Sequence, residues 1–415
     1  MPHVYINEKD NTVAGSMDEE NTNIVYIPGC VANSVDSTAK IFEPTLFRTT
    51  KAFREKVGDY SDTNLNAVMA EEYLKLGLLV LFESFGNETD FTVEGKINFD
   101  NIAAAVDWTK LKDRGLYKVK FLTTGAASSL SALSSMTATA KYRGDCIALI
   151  DHAKEIVAAQ GDTYAGTVRD AFEAVLPINQ ETNELDNSLL KYAAAFSPWC
   201  TCTVDGIEAD FPASFVYLSA YGKAKQNKQN PNWFAYAGSM RGIPPFVVTP
   251  LHRYGDVENG ILQGREFTEE GDFDTDDNKT WAINPISNID PFGNIVWGNR
   301  TLLDNSEKGG LTASSFLNIR NLVCDIKKRM YKTSRKYTFE QNDDILWANF
   351  SSDINELLDQ ALSGRGIRGS RLTPIPTDIK GRLKAHLVII PVEAAEDFDL
   401  TLEMADSLDV IVENA

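Results

Sequence analysis

The sequence predicts an α/β fold (α+β mixed), a compact body whose mixed sheets are flanked by helices. Three observations predict it. Short apolar runs such as Leu76–Phe82 and Cys146–Asp151 alternate with segments of helical periodicity, the pattern of a layer with partly parallel strands. A hydrophobic content of 43% over 415 residues suffices for a sizeable interior shared by two or three lobes. The strongest helical pattern lies in Phe316–Trp347. There Ile319, Leu322, Val323, Ile326 and Met330 recur at three- and four-residue steps, beside a basic stripe of Arg320, Lys327, Lys328, Arg329, Lys332, Arg335 and Lys336.

In chain order, Pro2–Asn7 reads as a strand on a polar tether, Glu8–Asn23, which contains Asp18, Glu19 and Glu20. A lone strand cannot satisfy its own backbone, so this piece is either a disordered tail or an arm that joins another sheet. Asn23–Gly29 reads as a strand ending in a Pro-Gly turn. Thr50–Gly58 is a helix closed by glycine, and Leu65–Lys75 is a second helix. Phe99–Lys112 reads as helix, Lys118–Leu122 and Cys146–Asp151 as strands, and His152–Ala159 as helix. Leu189–Trp199 is a strand, and Phe211–Tyr221 a helix with proline at its start. Phe246–Lys279, with the acidic run Glu269–Asp277, reads as a surface loop or insertion. Tyr337–Phe339 is a strand-like run before the polar turn Glu340–Asp343. Ile354, Leu357, Leu358, Ala361 and Leu362 mark a further helix, and Leu383–Pro391 a strand. Phe398, Leu400, Leu402 and Met404, then Leu408, Val410 and Val412, alternate as a strand would. The segment from Glu393 to Ala415 carries eight acidic residues and no basic ones. It is either an ordinary edge strand or an arm.

The formal charge of −19 argues against non-specific nucleic-acid binding, which needs an excess of Lys and Arg. Cys30, Cys146, Cys200, Cys202 and Cys324 are odd in number and scattered. They read as reduced, buried thiols of a cytoplasmic compartment rather than a disulfide framework or metal site. Met1–Thr12 lacks the apolar core of a secretory leader, and no run approaches a membrane span. Gly364-Arg-Gly366-Ile-Arg-Gly369 spells a dinucleotide fingerprint, but a helix precedes it where a strand is needed, so it reads as a flexible loop. Asp272–Asp277 imitates a calcium loop without its glycine or final glutamate. His3, His152, His252 and His386 are far apart, none with an obvious nucleophile beside it. No catalytic, cofactor or metal residue is assigned.

An ordered series of short motifs spans residues 24–391. It comprises Pro44-Thr-Leu46, the Phe53–Gly58 helix, Ser197-Pro-Trp199, Pro212-Ala-Ser214, Trp233, Ala237-Gly238, Ile283-Asn-Pro-Ile286 and Trp297-Gly-Asn-Arg300-Thr-Leu302. Then follow Arg320 in a long helix, Phe339-Glu340-Gln-Asn342-Asp343, Trp347, and Pro391–Phe398 without a second proline. The series resembles contractile tail sheath proteins of phages and related contractile injection machines, with a shortened segment near residues 364–380.

The resemblance implies a sheath-type body with extended N- and C-terminal strand arms. Its parts are an arm at 1–22, an α/β region at 23–310, a C-terminal domain at 311–397 and an arm at 398–415. It implies a structural, non-enzymatic subunit without cofactor that forms hexameric rings stacked into a helical homopolymer. Its partners are an inner tail tube, baseplate and tail terminator proteins, with no nucleic acid or membrane. The implied location is a phage virion tail assembled in the host cytoplasm. A bacteriocin-like or extracellular injection-system sheath is the alternative, and an α/β enzyme of unknown reaction the remote one. Val4, Tyr5, Ile6, Phe398, Leu400, Leu402, Leu408, Val410 and Val412 are the expected arm contacts. Lys327, Lys328, Lys332 and Lys336 either form a solvated helix face or meet an acidic tube or neighbouring arm. Trp199, Arg300, Arg320, Glu340, Asn342 and Trp347 are expected structural motif residues, with Arg300 and Arg320 in buried ion pairs.

Overall fold

Strands that are apolar on both faces must be covered on both faces, and that requirement organises the chain. The computed structural model describes residues 23–160, 162–265, 280–306, 311–376 and 381–395. Strands β1 (Ile24–Val31), β2 (Ile41–Phe47), β3 (Leu79–Asn87), β4 (Phe121–Leu122), β5 (Ile147–Asp151) and β6 (Ala193–Ser197) come first. Strands β7 (Cys200–Val204), β8 (Ile207–Phe211) and β9 (Val248–Pro250) follow. They are succeeded by β10 (Ile283–Ile289), β11 (Gly293–Val296), β12 (Ile367–Pro374) and β13 (Ala385–Pro391). The main sheet has the order β11-β10-β6-β5-β4-β1-β3-β2. Its six central strands run parallel, and β2 and β11 pair antiparallel at the edges.

The alternation along each central strand feeds two separate cores. Val25, Ile27, Val80, Phe82, Ile147, Leu149 and Phe196 face one side. Helices α1 (Thr50–Val57), α2 (Leu65–Lys75) and the later Ala213–Lys225 cover it. Ile24, Tyr26, Leu79, Leu81, Ala148 and Ile150 face the other side with Trp108. There α3 (Phe99–Ala105), α4 (Leu133–Arg143) and α5 (Tyr164–Glu173) precede α6 (Ala213–Lys225) and α7 (Asp256–Leu262) in the chain; α4, α5 and α7 line this second core. A third, smaller core joins α8 (Leu317–Lys336), α9 (Asp344–Ser363) and the β12–β13 ribbon around Trp233.

Helix α8 crosses beneath the N-terminal ends of the parallel strands and ties the third core to the first. Leu317 and Cys324 belong to the main core, whereas Leu322, Ile326 and Met330 pack in the small one. Lys120 at the start of β4 meets Asp325 at 3.1 Å, and both are buried. Cys324 Sγ lies 3.9 Å from the Cys146 carbonyl before β5, and Lys327 Nζ donates to Tyr192 Oη before β6 at 3.0 Å.

Several local readings are corrected. β1 continues through Pro28 and Gly29, which stay in register with Glu83 and Ser84 of β3, and the Pro28 carbonyl also accepts from Asn66 Nδ2 at 2.7 Å. Phe99–Lys112 is one helix only to Ala105, and a separate short turn covers Lys110–Lys112. Of the Lys118–Leu122 strand, only Phe121 and Leu122 form a ladder. His152–Ala159 is not helical, because the buried His152 anchors the chain between strand ends. Tyr337–Phe339 is a turn rather than a strand; Phe339 takes φ +75° and is fully exposed. Within Phe246–Lys279, Val248–Pro250 pairs with β7 and Asp256–Leu262 is α7. The Gly364–Gly369 run is a packed joint opening β12, since Trp233 lies against both Gly364 and Gly366 and donates Nε1–H to the Gly364 carbonyl at 2.8 Å.

Candidate functional site

The β12–β13 ribbon is the first candidate surface. It is two-stranded among the described residues, so each strand offers an outer edge with backbone groups that the ribbon itself does not pair. Leu372, Leu387 and Ile389 seat one face on the small core. Val388 and Ile390 stand on the other face at 46% and 55% exposure. A ribbon of two strands is marginal in water by itself. Here the small core with helices α8 and α9 holds it in place, and among the described residues no third strand pairs with its edges. The expected arm residues Val4, Tyr5, Ile6, Phe398, Leu400, Leu402, Leu408, Val410 and Val412 lie outside the described residues, as does Asp272–Asp277.

The basic stripe separates into different roles. Lys327 lies against Tyr192, whose ring it approaches at 5.4 Å. Lys336 pairs with Asp353 at 2.8 Å, which raises its ammonium pKa through that hydrogen bond and holds the Asp353 carboxyl low. Lys328 and Lys332 line a cleft of about 760 Å³ beside α9, together with Arg329, Arg335, and two residues from another part of the chain, Arg114 and Lys118. No local pattern around Arg114 and Lys118 announces this partnership; the long-range approach of their loop to α8 creates it.

Four of the six motif residues are buried or half-buried, and Glu340 and Asn342 are not. Trp199 is buried and donates Nε1–H to the His152 carbonyl at 2.7 Å. Arg300 is buried over the Phe316 ring, while its backbone exchanges hydrogen bonds with the Asn284 side chain. Arg320 is not in the expected ion pair: among the described residues its guanidinium lies over Tyr192 and donates to Ser314 Oγ at 3.0 Å. Aromatic and hydroxyl partners therefore carry that buried cation. Glu340 and Asn342 are exposed in the turn, and Asp343 caps α9 by accepting from the Leu346 amide at 2.8 Å. Trp347 is half-buried against Phe350.

The fold also brings together a group that sequence distance conceals. His152 does have a hydroxyl beside it: its Nε2 lies 2.8 Å from Ser197 Oγ, which lies 2.6 Å from Tyr254 Oη. Its Nδ1 faces the Ala153 carbonyl at 2.5 Å and so carries the proton, leaving Nε2 to accept from Ser197. Burial pushes the His152 pKa down to about 4 and the neighbouring Asp151 carboxyl up to about 7, even though Asp151 accepts from the Ser214 amide. The cluster occupies the carboxyl ends of parallel strands, where open α/β sheets place ligands. His152 and Ser197 are completely buried, however, and their hydrogen-bonding atoms are turned on one another. All five cysteines are buried and free, and burial raises each thiol pKa. Among the described residues no helix is long and apolar enough to cross a membrane.

No protein-family model matches the sequence, and no curated protein matches it by sequence. Solved structures do match its fold. A chain of the PVC sheath complex of an extracellular contractile injection system, in the contracted state, superposes with a TM-score of 0.62 at 17% identity. That match covers 99% of this chain and 98% of the other. The chain has the contractile-sheath fold. A chain from the baseplate of the anti-feeding prophage in its contracted state gives 0.64 at 17% identity, covering 97% and 98%. The sheath tail protein of Desulfitobacterium hafniense gives 0.53 at 12% identity, covering 94% and 100%. A sheath body thus emerges from a sequence with little residue identity to these chains.

Proposed function

We propose that this protein is the structural subunit of a contractile sheath, polymerising around an inner tube and shortening to drive the tube forward. The observation that carries the reading is the match of fold over the full chain to sheath subunits. The ribbon β12–β13 supplies the physical means. Alternating segments at Val4–Ile6 and Phe398–Val412 have the pattern of strands, and the ribbon has edges to receive them from adjacent copies. Main-chain ladders of this kind depend little on side-chain identity and bend as hinges. Subunits then rotate and pack more closely without separating, driven by apolar area buried at about 25 cal/mol per Å². Divided as 1–22, 23–310, 311–397 and 398–415, the chain becomes a rigid body between two connecting arms.

Its partners in this reading are further copies of itself in stacked rings, the tube, the baseplate and the terminator. The extracellular injection-system setting is favoured over a phage virion, because two of the matched structures come from an extracellular contractile injection system and an anti-feeding prophage. The test is negative-stain microscopy of the expressed protein, which should show striated tubes. Deleting residues 1–20 or 399–415 should leave a folded monomer that no longer assembles. Polymerisation of both truncated chains would refute the arm mechanism, and failure of the intact chain to form tubes with its tube partner would refute the function.

A further inference from the structure

Three large apolar side chains stand outward on one face of the body. Leu116 is 67% exposed, Tyr142 64% and Tyr331 42%, and they come from a loop, from α4 and from α8. Cations join them into one surface. Lys112 Nζ lies 5.5 Å from the centre of the Tyr142 ring. Arg114 donates to the Tyr142 carbonyl at 2.8 Å and lies 5.8 Å from the centre of the Tyr331 ring, which Arg335 flanks at the same distance. A methyl group at Gly115 would stand 3.9 Å from Arg335 Nη1, so Leu116 adjoins the same surface. Asp113 turns its carboxylate onto the Gly115 and Leu116 amides at 2.8 and 3.0 Å, and Lys112, Arg114 and Arg335 form no ion pair among the described residues. Exposed tyrosines beside guanidinium groups are the composition of interface centres, and the ring contacts already limit the freedom these cations would lose on binding.

The chain carries a face of the opposite sign. Residues 170–190 include five acidic residues and no basic one. After α5, residues 177–186 turn back as a hairpin. Ile178 bridges Leu185, the Asn179 amide donates to the Glu184 carbonyl at 2.8 Å, and the Asp186 amide donates to the Pro177 carbonyl at 2.7 Å. Phe172, Leu176 and Leu185 anchor the base of the hairpin in the second core. Outward it presents Val175 and Ile178, 38% and 48% exposed, beside the exposed Glu173, Glu181 and Glu184. Those three carboxylates form no ion pair among the described residues. Each face thus combines exposed apolar area with charge of one sign, and the two signs are complementary. Both faces are fixed to the body, so one closes on the other between two copies.

We propose that the hairpin at residues 177–186 of one copy seats on the face of Leu116, Tyr142 and Tyr331 of the next, with Glu181 and Glu184 meeting Lys112, Arg114 and Arg335. Two different patches meet, so the contact is head-to-tail and generates rings or filaments instead of a closed pair. Its place in a sheath rests on the sheath reading, whereas the contact itself does not.

Zero-length carbodiimide crosslinking of the full chain tests the contact, using an equal mixture of copies grown in light and heavy nitrogen. Lys112 should join Glu181 or Glu184 in pairs that carry both isotopes, with Lys336–Asp353 as the single-isotope control. Pairs of a single isotope only, mixed-isotope pairs from Lys112 only to other carboxylates, or no pair beside a positive control would each overturn the proposal. A charge-reversal cycle gives an independent readout. K112E/R335E and E181K/E184K should each raise the protein concentration needed for association about tenfold, and the chain with all four changes should return to within about threefold of wild type. No effect of either pair, or no recovery in the combined chain, would also overturn it. Tube formation is scored in the same samples. Striated tubes without the Lys112 crosslink refute the contact alone, whereas mixed-isotope crosslinks without tubes refute the sheath reading alone.

Discussion

The buried Lys120–Asp325 pair joins α8 to the main sheet, and its energetics can be measured directly. Lys120 Nζ lies 3.3 and 3.1 Å from the two Asp325 oxygens, and Asn232 Nδ2 donates to the same carboxylate at 2.7 Å. Desolvation outweighs the attraction of Asp325, and the ammonium pKa falls from 10.5 to about 8. That depression corresponds to roughly 3 kcal/mol of net cost for keeping Lys120 charged. The sign follows from proton counting: between pH 8 and 10.5 the unfolded chain binds more protons at this lysine than the folded chain does. Stability therefore rises with pH across that window, and the full cost applies below it. Asp325→Asn removes the charge partner and should cost about 3–5 kcal/mol, because the lysine is left buried without it. Lys120→Met should be similarly harmful by stranding the carboxylate. The double variant K120M/D325L should return to wild-type stability or exceed it by about 1–4 kcal/mol. Equilibrium urea unfolding of the unassembled chains, followed by circular dichroism, measures all four corners of the cycle. A cost below about 1 kcal/mol for Asp325→Asn, or a flat pH difference between wild type and the double variant, would refute this account.

Two further outcomes are expected. Gly366→Ala places a methyl group 2.9 Å from the Trp233 indole, so it should destabilise the small lobe by about 1–3 kcal/mol and shift tryptophan fluorescence. Unfolding within about 0.5 kcal/mol of wild type would show the joint to be loose. Asp151 and His152 impose opposite pH slopes. The raised Asp151 pKa contributes stability below 3.8 that is lost as pH rises through about 7, whereas the lowered His152 pKa contributes stability above 6.5 that is lost as pH falls through about 4. Asp151→Asn should therefore gain stability relative to wild type as pH rises across that range, and His152→Asn should gain relative to wild type as pH falls. Melting profiles with parallel pH dependence for all three chains would contradict the assignment.

Much of the architecture was legible locally. Leu65–Lys75 and Cys146–Asp151 carry periodicities that survive in the fold because burial rewards the same residues that propensity favours. The long amphipathic helix was equally plain, with Leu322, Ile326 and Met330 on one face. Local reading failed where distant contacts overrode it. His152–Ala159 has helical composition, yet Ser197 and Trp199 hold its first residue in place. The glycines of Gly364–Gly369 look mobile in sequence, but Trp233, more than a hundred residues away, packs on them. Arg320 looked like an ion-pair partner because its charge is visible and Tyr192 is not adjacent in sequence.

By itself, the sequence determined which strands are apolar on both faces, where the principal helix lies, and the order of motifs that resembles a sheath protein. These properties depend on residues near one another in the chain. Only the tertiary structure decided that the basic stripe divides, with Lys336 engaged by Asp353 while Lys328 and Lys332 join Arg114 and Lys118 around a cleft. It likewise decided that Ser197 meets His152 in a closed site and that β12–β13 is a two-stranded ribbon among the described residues. Charge, burial and backbone pairing at those places arise from segments far apart in sequence, and folding alone sets the distances between them.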